Sequence, residues 1–457
     1  MEGPMEGLIK KALKVCDVDY AEVHIEERLT TRVSYAGKEM EDVGTHTTLG
    51  GNVRAFSKGG WGFVSFNDTS RIQECAKNAC MQAKLVEGKG GKLARSEPVK
   101  DTVRVELADD PAGIPLEQKE KITRSYNDII LKSEKIKTSR VRYQDSRIRR
   151  YFFNTEGSEI IEERVYCGIG YYAVARDGSN VQISFDSVGG TEGFNTVFNQ
   201  EADVERVAKE AVDLLKAEKV KAGKYTVIVD QLLAGVFAHE AFGHLSESDF
   251  LYRNERVKKI MELGKRFGPD ELSIVDDGTL LGERGYYKYD DEGVMSQKTY
   301  LIKDGILVGR LHSRETAGKM GEKPTGNARC ISYRFHPIVR MSCTFIEPRD
   351  RSLKEMLSGI KRGIYAKGAY GGQTQLEMFT FSARRAYLIE DGKIGPLTRD
   401  VVLSGNVFET LRNIEAFGND IELHGGLGGC GKDGQGPLPT STGSPHVRIK
   451  NVIIGGK

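Results

Sequence analysis

No apolar run in this chain approaches the roughly 20 residues that cross a bilayer, which leaves no candidate for a membrane-spanning helix. The opening stretch, MEGPMEGLIKKALKVC, also lacks the long apolar centre and small-residue cleavage site of a signal peptide. An excess of one charge is missing too. The formal net charge is only +2, with acidic and basic residues spread throughout, so no basic face suited to nucleic acid stands out. The seven cysteines are odd in number and irregularly spaced, unlike a disulfide framework and in keeping with a reducing compartment. These absences predict a cytoplasmic protein with neither a nucleic-acid nor a membrane partner. What the chain does have is length, since 457 residues exceed one ordinary compact core and call for two or three.

Hydrophobic periodicity divides that length. A first helix carries Leu8, Ile9, Ala12, Leu13 and Cys16 at helical spacing, followed by a strand around Val23 and Ile25 and by Gly-punctuated hairpins over 33–66. A second helix puts Ile72, Cys75, Ala76, Ala79, Cys80 and Ala83 on one face. Residues 87–113, rich in Gly, Lys and Asp, read as a surface connection. A helix resumes after Pro115, the segment 141–187 alternates as antiparallel strands, and Val204, Val207, Ala208 and Ala211 mark one more amphipathic helix. The boundary is placed near 220. The fold class expected is therefore α+β in two domains: 1–220 with helices and antiparallel strands, and 221–457, strand-rich and carrying the helix that follows YTVIVD. In the second domain, Asp-Gly in LIKDGIL and LIEDGKI predicts two tight hairpins, and Leu353, Met356, Leu357, Ile360 and Ile364 predict a helix over 352–365.

The chemistry is concentrated in His239-Glu240-Ala241-Phe242-Gly243-His244. Zinc hydrolases use H-E-x-x-H, whose histidines lie about 40° apart on a regular helix and so share one ion. Five-residue spacing separates them by about 140°. Two distortions restore convergence, a π-bulge or a helix that ends between the histidines, and Gly243 suits either. Without one of them, one histidine packs on an apolar face and the other caps a helix. A catalytic zinc needs a third ligand, for which Glu247, Asp249 or a cysteine are available. Cys430, in HGGLGGCGKDGQGPLP, is the best thiolate candidate because its Gly-rich, apolar-poor surroundings offer no packing reason for a cysteine.

The segment HEAFGHLSESDF resembles the signature of the TldD/PmbA family of metallopeptidases. The likeness continues in the family's order through Asp-Asp-Glu-Gly at 290–293, Thr-Gly-Asn-Ala-Arg at 325–329, Gly-Gly-Gln at 371–373, Gly-Asn-Asp at 418–420 and Cys-Gly-Lys-Asp-Gly-Gln at 430–435. It covers the second half, and more loosely the first. The resemblance implies that His239, His244 and Cys430 bind one Zn2+ per chain and that Glu240 is the catalytic residue activating the zinc-bound water. It implies the catalytic TldD-type branch, because the PmbA or TldE branch lacks the motif. Leu245-Ser246 departs from the Gly-Leu common in TldD sequences, which leaves the ligands untouched.

The function expected is a zinc-dependent peptidase, a hydrolase of unfolded or flexible peptides held in extended form by strand addition. As the family implies, it would act as a homodimer or as a heterodimer with a non-catalytic PmbA/TldE-like relative. The alternative is a non-catalytic partner-binding subunit. Glu247 either holds the outer ring nitrogen of a ligand histidine or stands as a solvated helix-end carboxylate. Arg329, His312 and the amides around Gly431 are candidates to stabilise an oxyanion. Peptide deformylases use similar ligands but with four-residue spacing on much smaller chains, and a phosphate-binding loop at 425–436 would lack its Gly-Lys-Ser/Thr ending.

Overall fold

The computed structural model describes residues 3–86, 91–375 and 377–455. Alternation in the first half resolves into the strands β1 (Tyr20–Ala36), β2 (Glu39–Ser57), β3 (Gly60–Phe66), β4 (Lys100–Val103), β5 (Ile136–Asn154), β6 (Glu159–Asp177) and β7 (Asn180–Gly190). They form one sheet in the order β3-β2-β1-β5-β6-β4, with β7 also pairing with β6. All neighbours are antiparallel except β4, which runs parallel to β6. Residues 87–90 of the expected connection lie outside the described residues. Within the rest, Lys100–Val103 departs from the expectation by pairing with the edge of β6, where backbone groups would otherwise need water.

Four helices, α1 (Pro4–Leu13), α2 (Ile72–Leu85), α3 (Leu116–Leu131) and α4 (Glu201–Leu214), cover one face of this sheet. At one end Ile9, Ala76 and Ala79 pack on Val23, Ile25 and Val53. At the other, Tyr126, Ile130, Val204 and Val207 pack on Val33, Val141, Tyr143 and Ile169. Full burial of each large aliphatic side chain contributes about 1.5–3 kcal/mol, and buried polar bonds add to it on α3, where Lys119 pairs with Asp145 at 2.7 Å and Asn127 accepts from Ser139 Oγ at 2.6 Å.

In the second half the strands Gly223–Val229, Val447–Gly455, Val402–Asn406, Met378–Glu390 and Arg362–Gln375 pair in that order, and the last returns to the first, closing a small barrel. A second sheet runs from Ile306–Leu307 through Lys298–Lys303, Ile274–Asp277, Cys343–Ile346 and Ser441–Ser444 to Glu422–His424. Between barrel and sheet lies α5 (Gln231–Ala238), with Phe237 edge-on to Phe379 and Phe381. Asp230 caps α5 by accepting from the Leu233 amide at 2.9 Å, and its carboxylate also accepts from the Gly368 amide, which ties the helix start to the barrel.

Both Asp-Gly hairpins form, with Asp304 and Gly305 at φ 51° and 78°, and Asp391 and Gly392 at 47° and 75°. The helix expected over 352–365 is shorter. It spans only Leu353–Leu357, capped reciprocally by Ser352 and Glu355, and ends before Gly359 at φ 79°. Ile360 and Ile364 are buried, but Ile364 lies in a barrel strand, whose pairing outweighs a short apolar period. Among the described residues no helix is long and apolar enough to cross a membrane.

Candidate metal centre

α5 accommodates the five-residue histidine spacing by changing its pitch. The helix is regular to Ala238, becomes a π-helix over His239–Gly243, and tightens to a 3-10 turn over His244–Ser246. The His244 amide donates to the His239 carbonyl, so the extra residue is absorbed in one wide turn. Gly243 makes the turn possible as packed. A Cβ there would fall 2.0 Å from Sδ of Met341, which is fully buried. The rings of His239 and His244 consequently converge, centroids 5.3 Å apart and planes at 85°.

Cys430 arrives from the far end of the chain. It is not in an open loop but begins the short strand Cys430–Lys432, which turns back through Asp433 and Gly434, both at positive φ, to pair with Gln435–Leu438. Its carbonyl accepts from Nη2 of the buried Arg340 at 2.6 Å, which fixes the hairpin's position. Sγ lies 3.4 Å from His244 Nε2, and one ligand-type atom from each of His239, His244 and Cys430 lies within 4.8 Å of the others. Burial pushes the Cys430 thiol up, but the imidazoles of His239 and His244 outweigh it and bring the thiol down to about 5. Burial likewise pushes His244 down, while the Glu247 carboxylate and Cys430 more than reverse it, raising the imidazole to about 11. The two shifts share one cause, the close approach of the Cys430 sulfur and the His244 imidazole, each of which favours the charged form of the other.

Glu247 is fully buried beside this pair. Its Oε2 accepts from His244 Nδ1 at 2.9 Å and from Lys432 Nζ at 3.0 Å. Burial pushes its carboxyl up, and His244 and Lys432 pull it down to about 2. Asp249, the other downstream carboxylate, is taken by Lys432 at 2.7 Å and by the Val339 amide at 3.1 Å. Glu240 points differently. Its side chain is partly exposed, with Oε2 3.9 Å from His244 Nε2.

His239, Glu240 and Cys430 all line a cleft of about 400 Å³. Its other walls come from Phe185, Asp186 and Ser187 of β7, from Tyr370 and Arg384 of the barrel, and from the glycines at 425–429. The sequence marked the Gly-rich stretch around Cys430 but not the walls from Phe185, Asp186, Ser187, Tyr370 and Arg384. His424 was also missed, although it opens the very Gly-rich stretch that contains Cys430; it lines the cleft, and its buried Nε2 has no hydrogen-bond partner. Arg384 bridges the two halves, donating to the Phe185 carbonyl and pairing with Asp186 at 3.2 Å. The oxyanion candidates fall elsewhere. Arg329 spends its guanidinium on the carbonyls of Met341 and Pro439, and His312 sits between Thr316, Ser248 and Glu322. Gly428 and Gly429, rather than Gly431, face the cleft.

The fold is one already seen. A structure of TldE from Thermococcus kodakarensis superposes with a TM-score of 0.78 at 20% identity, covering 99% of this chain and 100% of that one. The fold is thus the α+β frame with a small barrel that this structure shares. By sequence, descriptions of the PmbA/TldA metallopeptidases match as domain 1 over residues 21–83, as central domain over 109–218 and as C-terminal domain over 222–456. A metalloprotease of Synechocystis is 42% identical over 96% of this chain and 95% of its own. A zinc metalloprotease TldD homolog of Saccharolobus solfataricus is 33% identical over 70% of this chain and 72% of its own. The chain belongs to the PmbA/TldD metallopeptidase family.

Proposed function

We propose that the protein is a zinc-dependent peptidase acting on unfolded or flexible peptides, with one zinc held by His239, His244 and Cys430. The observation that carries this reading is the meeting of two histidines five residues apart with a cysteine nearly two hundred residues further along, His239 and Cys430 of the three lining an open cleft. The donor set fits the ion. Two imidazoles and a thiolate suit zinc, and three protein ligands leave a position for substrate or water. His239 Nδ1 is buried without a hydrogen-bond partner, as fits a ring whose lone pair awaits a ligand rather than a packed core histidine.

A zinc ion supplies Lewis acidity, polarising a carbonyl and acidifying water. Glu240, at the open side of the cluster, takes a proton from the attacking water and passes it to the leaving amine. Glu247 holds His244 through Nδ1 and so keeps Nε2 turned towards Cys430. Substrate enters along Tyr370, Gly371 and Gly372 of the barrel strand Arg362–Gln375, opposite β7. Backbone bonds to that strand are indifferent to side chains, which suits flexible peptides over folded ones. In this reading residues 1–220 provide substrate and partner contacts and 221–457 the metallopeptidase centre. The partner in this reading is a second copy or a non-catalytic PmbA/TldE-like relative, as membership of the family suggests.

The test is Glu240→Gln, expected to keep about one zinc per chain while hydrolysis of an unfolded peptide falls at least about 10²-fold. Unchanged turnover would remove Glu240 from the mechanism, and purified protein free of zinc would favour a non-catalytic subunit.

A further inference from the structure

The face of the N-terminal sheet turned away from its helices closes over a second cavity, of about 160 Å³. Alternation along β5 turns Val141 and Tyr143 to the helices and Arg142, Gln144, Ile148 and Arg150 to the cavity. Register then sets Arg28 of β1 and Arg164 of β6 opposite Ile148. Arg284 and Arg329 come from the C-terminal half, so six guanidinium groups reach this wall.

Their partners are unequal. Arg28 pairs with Glu26 at 3.0 Å, Arg164 with Glu162 at 2.7 Å, and Arg150 with Asp291 and with Glu162 at 3.4 Å. Asp145, the other carboxylate at the wall, is held by Lys119 at 2.7 Å. Arg329 has only carbonyl partners. Among the described residues Arg284 has no ion-pair or hydrogen-bond partner at all. It is 6% exposed, its Nε is buried without an acceptor, and its guanidinium stands 5.8 Å from the Tyr166 ring. Backbone on either side keeps room for it: a Cβ on Gly425 would fall 2.8 Å from Arg284 Cβ, and one on Gly189 3.3 Å from Nη1. A guanidinium taken out of water without a counter-charge is costly, and the deficit here is of negative charge.

A trio beside the cavity, His24, Asp291 and Cys330, has ligand-type atoms within 4.8 Å of one another. It does not make a cation site, because Arg150 already stands among them, donating Nε to His24 Nε2 at 3.1 Å and pairing with Asp291. We propose that this cavity binds a small oxyanion, a phosphate or the carboxylate of a small organic acid, with Arg284 as its main counter-charge and Arg329 and the exposed Arg142 completing the cradle. The loop at 425–429 separates it from the metal cleft: Leu427 lines this cavity, while Gly425, Gly426, Gly428 and Gly429 line the other. A bound anion would lie against Leu427 of the loop that leads to Cys430.

The purified full-length protein is titrated with inorganic phosphate and, separately, with succinate by calorimetry, and its melting temperature is followed in both. Saturable binding near one per chain is expected. In Arg284→Gln the affinity falls at least about tenfold, the scale of a lost charge-assisted bond, and the anion-induced rise in melting temperature is lost. Saturation by phosphate identifies a phosphate-type ligand, and saturation by succinate alone a carboxylate. Should Arg284→Gln fail to fold, Arg142→Gln at the exposed rim is expected to lose at least about threefold in affinity with a weaker salt dependence. No saturable binding of either anion overturns the proposal, as do equal affinity and equal stabilisation in the variants.

Discussion

The two cavities on either side of the 425–429 loop are electrostatic opposites. In the cleft lined by His239 and Cys430 the buried groups without a hydrogen-bond partner are ring nitrogens, Nδ1 of His239 and Nε2 of His424, beside a thiol that the imidazoles pull down to about 5. In the cavity under the sheet the unsatisfied group is a guanidinium with no carboxylate. Both sites bury polar atoms at a cost, and each is short of the charge that its ligand would bring. The polar group left unpaired, more than cavity size, indicates the sign of what binds.

The comparison breaks most visibly at Cys430. Cys430→Ala leaves two imidazoles, and zinc measured by atomic absorption is expected to fall from about one equivalent to below about a tenth. Anion binding, on the far side of the loop, should stay within about twofold, as for independent sites. Full zinc retention in this variant would move the third ligand elsewhere.

A smaller effect separates holding a ligand from being one. Glu247→Gln keeps the shape but removes the charge that orients His244, so zinc affinity from competition with a chromophoric chelator should drop about 10–100-fold. An unchanged affinity would leave Glu247 with a purely structural bond to Lys432.

The smallest effect is in stability. Glu247 has a folded value of about 2, below the ordinary value of about 4.3. A carboxyl lowered in this way adds stability that is present above about pH 4.3 and lost as pH falls towards about 2. For the coupled Glu247–His244 pair, counted once, this is at most about 3 kcal/mol. Urea melts of the metal-free protein from about pH 6 to about pH 3 should therefore steepen towards acid, and Glu247→Gln should flatten the slope. An equally steep slope in the variant would assign the acid loss to other carboxylates.

Legibility in the sequence followed distance along the chain. The face Ile72, Cys75, Ala76, Ala79, Cys80 and Ala83 is buried as its spacing predicts, because a helix bonds to itself and needs only one apolar partner surface. The two Asp-Gly turns formed for the same local reason. The residues Leu353, Met356, Leu357, Ile360 and Ile364 misled because barrel pairing claims everything from Arg362 onward, and no local period reveals that demand. Phe185, Tyr370, Arg384 and His424 went unread because they carry no motif and meet only when barrel and sheet close around α5.

Without long apolar runs or an excess of one charge, attention narrows to the few residues able to do chemistry, and the letters His239, Glu240, His244 and Cys430 already name a donor set. Sequence alone supplies that set and the constraint that a regular helix would point the histidines about 140° apart. Tertiary structure decided the rest. A wide turn seated on Met341 brings the rings together, a hairpin held by Arg340 delivers the sulfur, and β7 closes the cleft. The reason is physical: donor types are a property of side chains, whereas convergence depends on packing between segments that only folding brings into contact.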